Sequence, residues 1–365
     1  MGIETPLRIL VAPLDWGLGH TTRCVPIIRY LLSLGHKVTV AGNDWQRSYI
    51  EETFPGIETI HLDGYNVRYG TSGKTFLFNI LKQLPRLLGT VKKEHRWLGK
   101  LQTTHPFDLI IADNRYGLYH QGIPCVIMTH QLQIQTGLGN YCNTLLRHLH
   151  YRLLHKFAQC WVVDVAGAPN LSGKLAHPKH LPRNAHYIGL LSQVAAPIQV
   201  AATDHSLLVL LSGPEPQRTI LSDTLWAQLS AYKGNIIFVE GTDGGKERTD
   251  VPVNVSYHKR LTGQELQPIL QAASLVICRS GYSTVMDLVA LQKKAILIPT
   301  PGQTEQEYIA RHLSRQQVFL SAAQQGMNLK LLLDIAIPFP FHIPCLQQDY
   351  EQFKLEINHL LNVIL

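Results

Sequence analysis

The run Arg8-Ile-Leu-Val-Ala-Pro13 is short, apolar and β-prone, and it empties into a glycine-containing loop, Asp15-Trp16-Gly17-Leu18-Gly19-His20. From Thr22 to Leu34 the apolar residues Val25, Ile28, Leu31 and Leu32 recur at helical spacing, and Lys37-Val-Thr-Val-Ala41 is β-rich again. A strand, a helix and a second strand in immediate succession dictate a parallel pair, because the helix carries the chain back to the sheet edge where it started. The same alternation continues through Glu58–Leu62, Asp108–Ala112, Cys125–Met128 and Trp161–Val163, with amphipathic stretches over Thr75–Thr103 and Tyr141–Gln159.

A second alternating series begins near Ser206. Its expected strands are Leu207–Leu211, Asn235–Glu240, Val253–Tyr257, Leu275–Cys278, Ala295–Pro299 and Val318–Leu320. The helices expected between them are Leu221–Tyr232, Gln264–Ala273, Thr284–Leu291 and Gln306–Ser314. Leu190–Asp204 lacks either periodicity, contains Pro197 and reads as a linker. The expected fold is therefore α/β, with two Rossmann-like doubly wound domains facing a cleft: residues 1–195, residues 196–340, and a closing segment 341–365 whose helix returns toward the N-terminal domain.

Composition narrows the class. With 365 residues, 45% of them hydrophobic, the chain is long enough for two cores and too apolar for disorder. Its longest apolar runs, such as Leu207–Leu211, are far shorter than the roughly 20 residues of a spanning helix. Leu7–Pro13 is too short for the apolar part of a leader, and the six cysteines are scattered without a paired spacing. A cytoplasmic location is expected. Charge is uneven: residues 1–200 hold 20 Lys/Arg against 11 Asp/Glu, a surplus of nine, while residues 201–365 hold 13 against 15. Such a basic half suits an anionic partner, or is an ordinary solvated face.

The chemistry concentrates in residues 274–310. A strand ends at Cys278, Arg279-Ser280-Gly281 forms a turn, and a helix opens near Ser283. The N-terminus of a helix presents backbone N–H groups and the positive end of its dipole, which suits a phosphate. Ser283 and Thr284 add hydroxyls, Arg279 adds a cation, and Asp287 one turn on is suited to a ribose diol. The next strand runs into Pro299-Thr-Pro-Gly-Gln-Thr-Glu305-Gln306-Glu307, whose side chains suit sugar hydroxyls. Binders of phosphate, diol and hexose in that order describe a nucleotide-sugar site.

This stretch resembles the GT-B-fold nucleotide-sugar glycosyltransferases, and in particular the bacterial N-acetylglucosaminyltransferases that complete the lipid-linked peptidoglycan precursor. The resemblance is specific over residues 274–310 and looser elsewhere. It implies that Arg279, Ser280 and Gly281 lie at the nucleotide and diphosphate, that Asp287 takes the ribose, and that Gln306 takes the sugar. Glu307 stands where that family has a second Gln, while Glu305-Gln306 matches the acid-Gln pair of plant and microbial secondary-product enzymes. Ser212 and Gly213 fall where the fold sets a turn toward the diphosphate. Gly17 and Gly19 match the glycine-rich turn after the first strand, His20 the general base at its end, and Asp113 the carboxylate that orients that base. His130, after the fifth strand, is a candidate on the acceptor side.

Three other motifs fail. Gly17-x-Gly19-x-x-Thr22 lacks the third glycine of a dinucleotide fingerprint. Gly73-Lys74-Thr75 ends like a P-loop, but Arg68 replaces its first glycine. His148, His150 and His155 have no i,i+4 pair for zinc. The chain also has no Asp-x-Asp pair, so neither a metal nor a cofactor is expected. Between Phe76 and Lys100, apolar residues interleave with Lys82, Arg86, Lys92, Lys93, Arg96 and Lys100, with Pro85 expected to break the helix. Two readings stand, an interfacial segment meeting anionic lipid and a helix with a basic outer face. Nucleic acid is disfavoured, since stacking aromatics are missing among these cations.

The expectation is thus a metal-independent, inverting glycosyltransferase of cell-envelope glycan synthesis. It would move a hexose from a UDP-sugar to a hydroxyl, in the cytoplasm at the inner face of the membrane, with a lipid-linked acceptor. A UDP-sugar 2-epimerase and a non-catalytic nucleotide-sugar-binding subunit remain as alternatives.

Overall fold

A computed structural model of the chain describes residues 5–65, 76–133, 140–194, 206–242, 244 and 248–365. Gly73-Lys74-Thr75, residues 195–204 of the expected linker and the side chains of residues 76–84 lie outside the described residues. Two compact units form: one from residues up to Arg68 with Leu77–Gln193 and Gln347–Leu365, the other from Val194–Leu346.

The first unit runs β1 (Arg8–Pro13), α1 (Leu18–Ser33), β2 (Lys37–Gly42), α2 (Asp44–Thr53), β3 (Glu58–His61), α3 (Phe76–Thr104), β4 (Leu109–Asp113), β5 (Cys125–Thr129), α4 (Asn140–Leu154), β6 (Gln159–Val162) and β7 (Ala185–Tyr187). All strands are parallel, in the order β3-β2-β1-β4-β5-β6-β7. Every residue of β4 and β5 is buried, as expected of central strands covered on both faces. The strand order reverses between β1 and β4, and open α/β sheets bind ligands beyond the carboxyl ends of the strands at that point. Register puts Asp113, the last residue of β4, opposite Pro13, the last of β1.

The second unit runs β8 (Leu207–Leu210), α5 (Gln217–Trp226), β9 (Ile236–Val239), β10 (Val255–His258), α6 (Gly263–Ala272), β11 (Leu275–Cys278), α7 (Tyr282–Ala290), β12 (Ala295–Leu297), α8 (Thr304–Arg315), β13 (Leu320–Ser321) and α9 (Leu329–Ala336). Its parallel sheet has the order β10-β9-β8-β11-β12-β13, so the same reversal occurs between β8 and β11. Its core is built from strand residues such as Val209, Phe238, Ile277 and Ile296 packed on Leu221 and Leu225 of α5. The last helix, α10 (Gln352–Ile364), belongs to the first unit. Phe353 meets Tyr30 of α1 edge-on at 5.9 Å, and the Tyr30 hydroxyl donates to Asn358 Oδ1 at 2.9 Å. The chain passes closely here: a Cβ on Gly189 (φ 76°) would stand 2.0 Å from the Asp349 carbonyl oxygen.

Several local expectations need correcting. α1 opens at Leu18 rather than Thr22, because Gly17 at φ 78° turns the chain directly from loop into helix. α3 continues through Pro85 for 29 residues, so the proline does not end it. α2, which the pattern reading lacks, is secured by a reciprocal cap in which Asn43 Oδ1 accepts from Gln46 N and Gln46 Oε1 accepts from Asn43 N.

Candidate functional site

In the first unit, the loop after β1 and the end of β4 meet at the sheet's reversal point. Gly17 turns the chain there, Gly19 lies in the first turn of α1, and His20 follows one residue later. His20 Nδ1 is 3.0 Å from Asp113 Oδ2. Asp113 has no solvent exposure, and a carboxylate there needs a cation. Arg23, one turn after His20 and 2% exposed, supplies it. Its Nε donates to Asp113 Oδ2 at 2.7 Å and its Nη2 to Asp113 Oδ1. Arg23 Nη2 also lies 2.9 Å from His20 Nδ1, and Nη1 lies 3.0 Å from Nδ1 of His130. Arg23 thus brings together three residues singled out from the sequence, although the pattern assigned it no part.

Electrostatics follow from this packing. Burial alone would raise the Asp113 carboxyl, but Arg23 and His20 hold it down at about 2. His20 is moved the other way from what a lone carboxylate partner would cause: burial, then the Arg23 charge, lower it below its ordinary value. Both effects favour the unprotonated imidazole, the form able to accept a proton.

In the second unit, Cys278 pairs in register with Leu210, so the loops after β8 and β11 leave the sheet side by side at its reversal point. Gly213 adopts φ 102°, and Gly281 precedes α7, which no side chain caps. Three of the residues expected on the donor side, Arg279, Ser280 and Gln306, make hydrogen bonds within the protein. Arg279 is 1% exposed; its Nη1 donates to the carbonyls of Ile298 (3.2 Å) and Pro299 (3.3 Å), and its Nη2 to that of Gln217 (2.6 Å). Its guanidinium ties the start of α5 to the end of β12, and desolvation lowers it to about 10, still charged at neutral pH. Ser280 Oγ donates to the Gln306 carbonyl at 2.8 Å, and Gln306 Oε1 accepts from Thr300 N at 2.9 Å. Both hold the β12–α8 loop in place, as does Glu307 Oε1, which accepts from Gly302 N at 2.8 Å. Ser283 and Thr284 occupy the first turn of α7 and Asp287 its second, while Glu305 lies in the first turn of α8. Ser212 is exposed beside Gly213.

The histidines of α4 are accounted for separately. His150 is buried with Nε2 2.9 Å from the Tyr116 hydroxyl, and burial lowers it to about 4. Among the described residues no group of three potential metal ligands converges. No helix among them is long and apolar enough to cross a membrane.

Residues 254–334 match the family model of the glycosyltransferase family 28 C-terminal domain. The UDP-N-acetylglucosamine--N-acetylmuramyl-(pentapeptide) pyrophosphoryl-undecaprenol N-acetylglucosamine transferase of Desulforudis audaxviator is 52% identical over 54 residues. That match spans only 14% of this chain and 14% of the relative. An uncharacterized glycosyltransferase of Methanosarcina acetivorans is 22% identical over 323 residues, covering 82% of this chain and 80% of its own. Among solved structures, the glycosyltransferase SnogD from Streptomyces nogalater superposes with a TM-score of 0.67 at 14% identity, over 99% of this chain and all of that one. With two parallel α/β units in this order and a match to the family 28 C-terminal domain model in the second, the chain has the GT-B fold and is similar to the peptidoglycan-precursor N-acetylglucosaminyltransferases.

Proposed function

We propose that the protein is a glycosyltransferase that moves a hexose from a UDP-sugar to an acceptor hydroxyl, without a metal and with inversion at the anomeric carbon. The observation that carries this reading is His20 Nδ1 set 3.0 Å from the buried Asp113 carboxylate at the reversal point of a GT-B sheet. His20 takes the proton of the acceptor hydroxyl through Nε2 as the oxygen attacks, and Asp113 balances the imidazolium that forms. The leaving UDP carries its charge to the first turn of α7. Asp287 holds the ribose, and Glu305 lies where the sugar hydroxyls are expected. Arg279, Ser280 and Gln306 act one step back, by shaping the loop that meets the donor.

The similarity to peptidoglycan-precursor enzymes supports a lipid-linked acceptor of envelope glycan synthesis, met at the inner membrane face. The exposed cations Lys92, Lys93 and Arg96 of α3 suit such a surface. The test is a thermal-shift panel followed by a transfer assay. Stabilisation by UDP and not by NAD or ATP supports the donor class. Sugar isomerised without any acceptor would mark a 2-epimerase instead, and UDP-sugar binding without turnover would mark a binding subunit.

A further inference from the structure

Thr300 lies just past β12 with both backbone groups committed: its N–H donates to Gln306 Oε1 at 2.9 Å and its carbonyl accepts from Gln303 N at 3.0 Å. Its residue is only 3% exposed, yet Oγ1 has no hydrogen-bond partner within the protein. A buried hydroxyl left unpaired is destabilising, so one held this firmly by its backbone calls for a partner. Its surroundings indicate which. A Cβ on Gly213 would stand 3.7 Å from Thr300 Oγ1, so the hydroxyl borders the bare backbone of the β8 loop. Gln306, which holds Thr300 N, also accepts from Ser280 Oγ through its carbonyl, tying the same spot to the residue two before α7. No side chain caps α7, a nine-residue helix. Arg279 lies beside this point with its Nη1 and Nη2 turned to backbone carbonyls, and Arg218 is paired with Glu215.

We infer that the Thr300 hydroxyl is a ligand of the donor's diphosphate, completing a hydrogen-bonding cradle with the Gly213 backbone and the first turn of α7. This rests on the nucleotide-sugar reading above and adds to it a contact from a residue outside the expected set. The hydroxyl donates one hydrogen bond to a phosphate oxygen, a bond to a charged group worth about 10- to 100-fold in affinity.

The test compares Thr300→Val, Thr300→Ser and the parent protein by titration with UDP, UDP-N-acetylglucosamine and uridine, with melting temperatures measured alongside. Thr300→Val should weaken UDP and the UDP-sugar by roughly tenfold or more, spare uridine, and melt no lower than the parent, since valine removes an unpaired hydroxyl at constant shape. Thr300→Ser should restore UDP affinity. Unchanged UDP affinity in Thr300→Val overturns the inference while leaving the donor reading intact. A loss confined to the UDP-sugar would assign the hydroxyl to the hexose and overturn it as well. A lower melting temperature with unaltered affinity marks a purely structural hydroxyl. A parent protein that binds none of the three overturns the nucleotide-sugar reading and the inference together.

Discussion

Arg23 grips both carboxylate oxygens of Asp113 from one helical turn beyond His20, and neither the arginine nor the acid is open to solvent. The pair divides the work that a lone acid would do for a histidine. Asp113 is held ionised beside the imidazole, while burial and then the arginine charge lower the imidazole below its ordinary value.

Under the proposed mechanism, His20 acts as a base to lower pH than an ordinary histidine does. Activity in a transfer assay should rise with pH through a value below 6.5, because burial and Arg23 both lower His20. His20→Ala should reduce kcat by 100-fold or more, within the roughly 10²–10⁴ range of general-base catalysis, with UDP binding unchanged. Unchanged kcat in that variant would remove His20 as the base. Arg23→Met should move the acid limb upward, and Arg23→Lys should move it less, which separates the charge effect from misfolding.

Asp113 also makes stability depend on acid. Its folded value of about 2 lies below the ordinary 3.8, so its stabilisation is complete above about pH 4 and is lost as pH falls toward 2. The shift corresponds to about 2 kcal/mol, read as the difference in denaturation midpoint between pH 5 and pH 2 for parent and Asp113→Asn. An identical acid dependence in the two proteins would contradict it.

Arg279→Lys separates a scaffold role from a phosphate contact. Lysine cannot span the three carbonyls of Ile298, Pro299 and Gln217, and leaving them unsatisfied should cost about 3 kcal/mol, or roughly 6–12 °C in melting temperature. A phosphate contact would instead leave the melting temperature of the unliganded protein unchanged while UDP affinity fell. Differential scanning fluorimetry with and without UDP distinguishes the two.

If α3 meets anionic lipid, the protein should sediment with vesicles containing phosphatidylglycerol, and about 0.5 M salt, at which surface charges are strongly screened, should release it. Replacing Lys92, Lys93 and Arg96 with Glu should abolish co-sedimentation without moving the melting temperature. A parent protein that never sediments with such vesicles ends the membrane reading.

Much of the scaffold was legible because the side-chain pattern is local. Strands such as Leu109–Asp113 and Leu275–Cys278 declare themselves by short apolar runs, and Gly17 and Gly281 mark the turns that follow strands. Helix ends are less legible. α1 begins earlier than its apolar spacing suggests, and α3 carries Pro85 internally, since tertiary packing of a long helix outweighs a single missing hydrogen bond.

By itself the sequence determined the order of strands and helices, the two α/β halves and the loops where chemistry gathers, since these depend on neighbours a few positions apart. Only the tertiary structure decided where the charged side chains of those loops point. Arg279 faces inward because its acceptors lie 19, 20 and 62 positions away in the chain, and Arg23 joins the His20 site because Asp113, 90 positions distant, arrives there on β4. A guanidinium goes to whichever acceptors the fold leaves unpaired in its reach, and that choice is set when the strands are brought side by side.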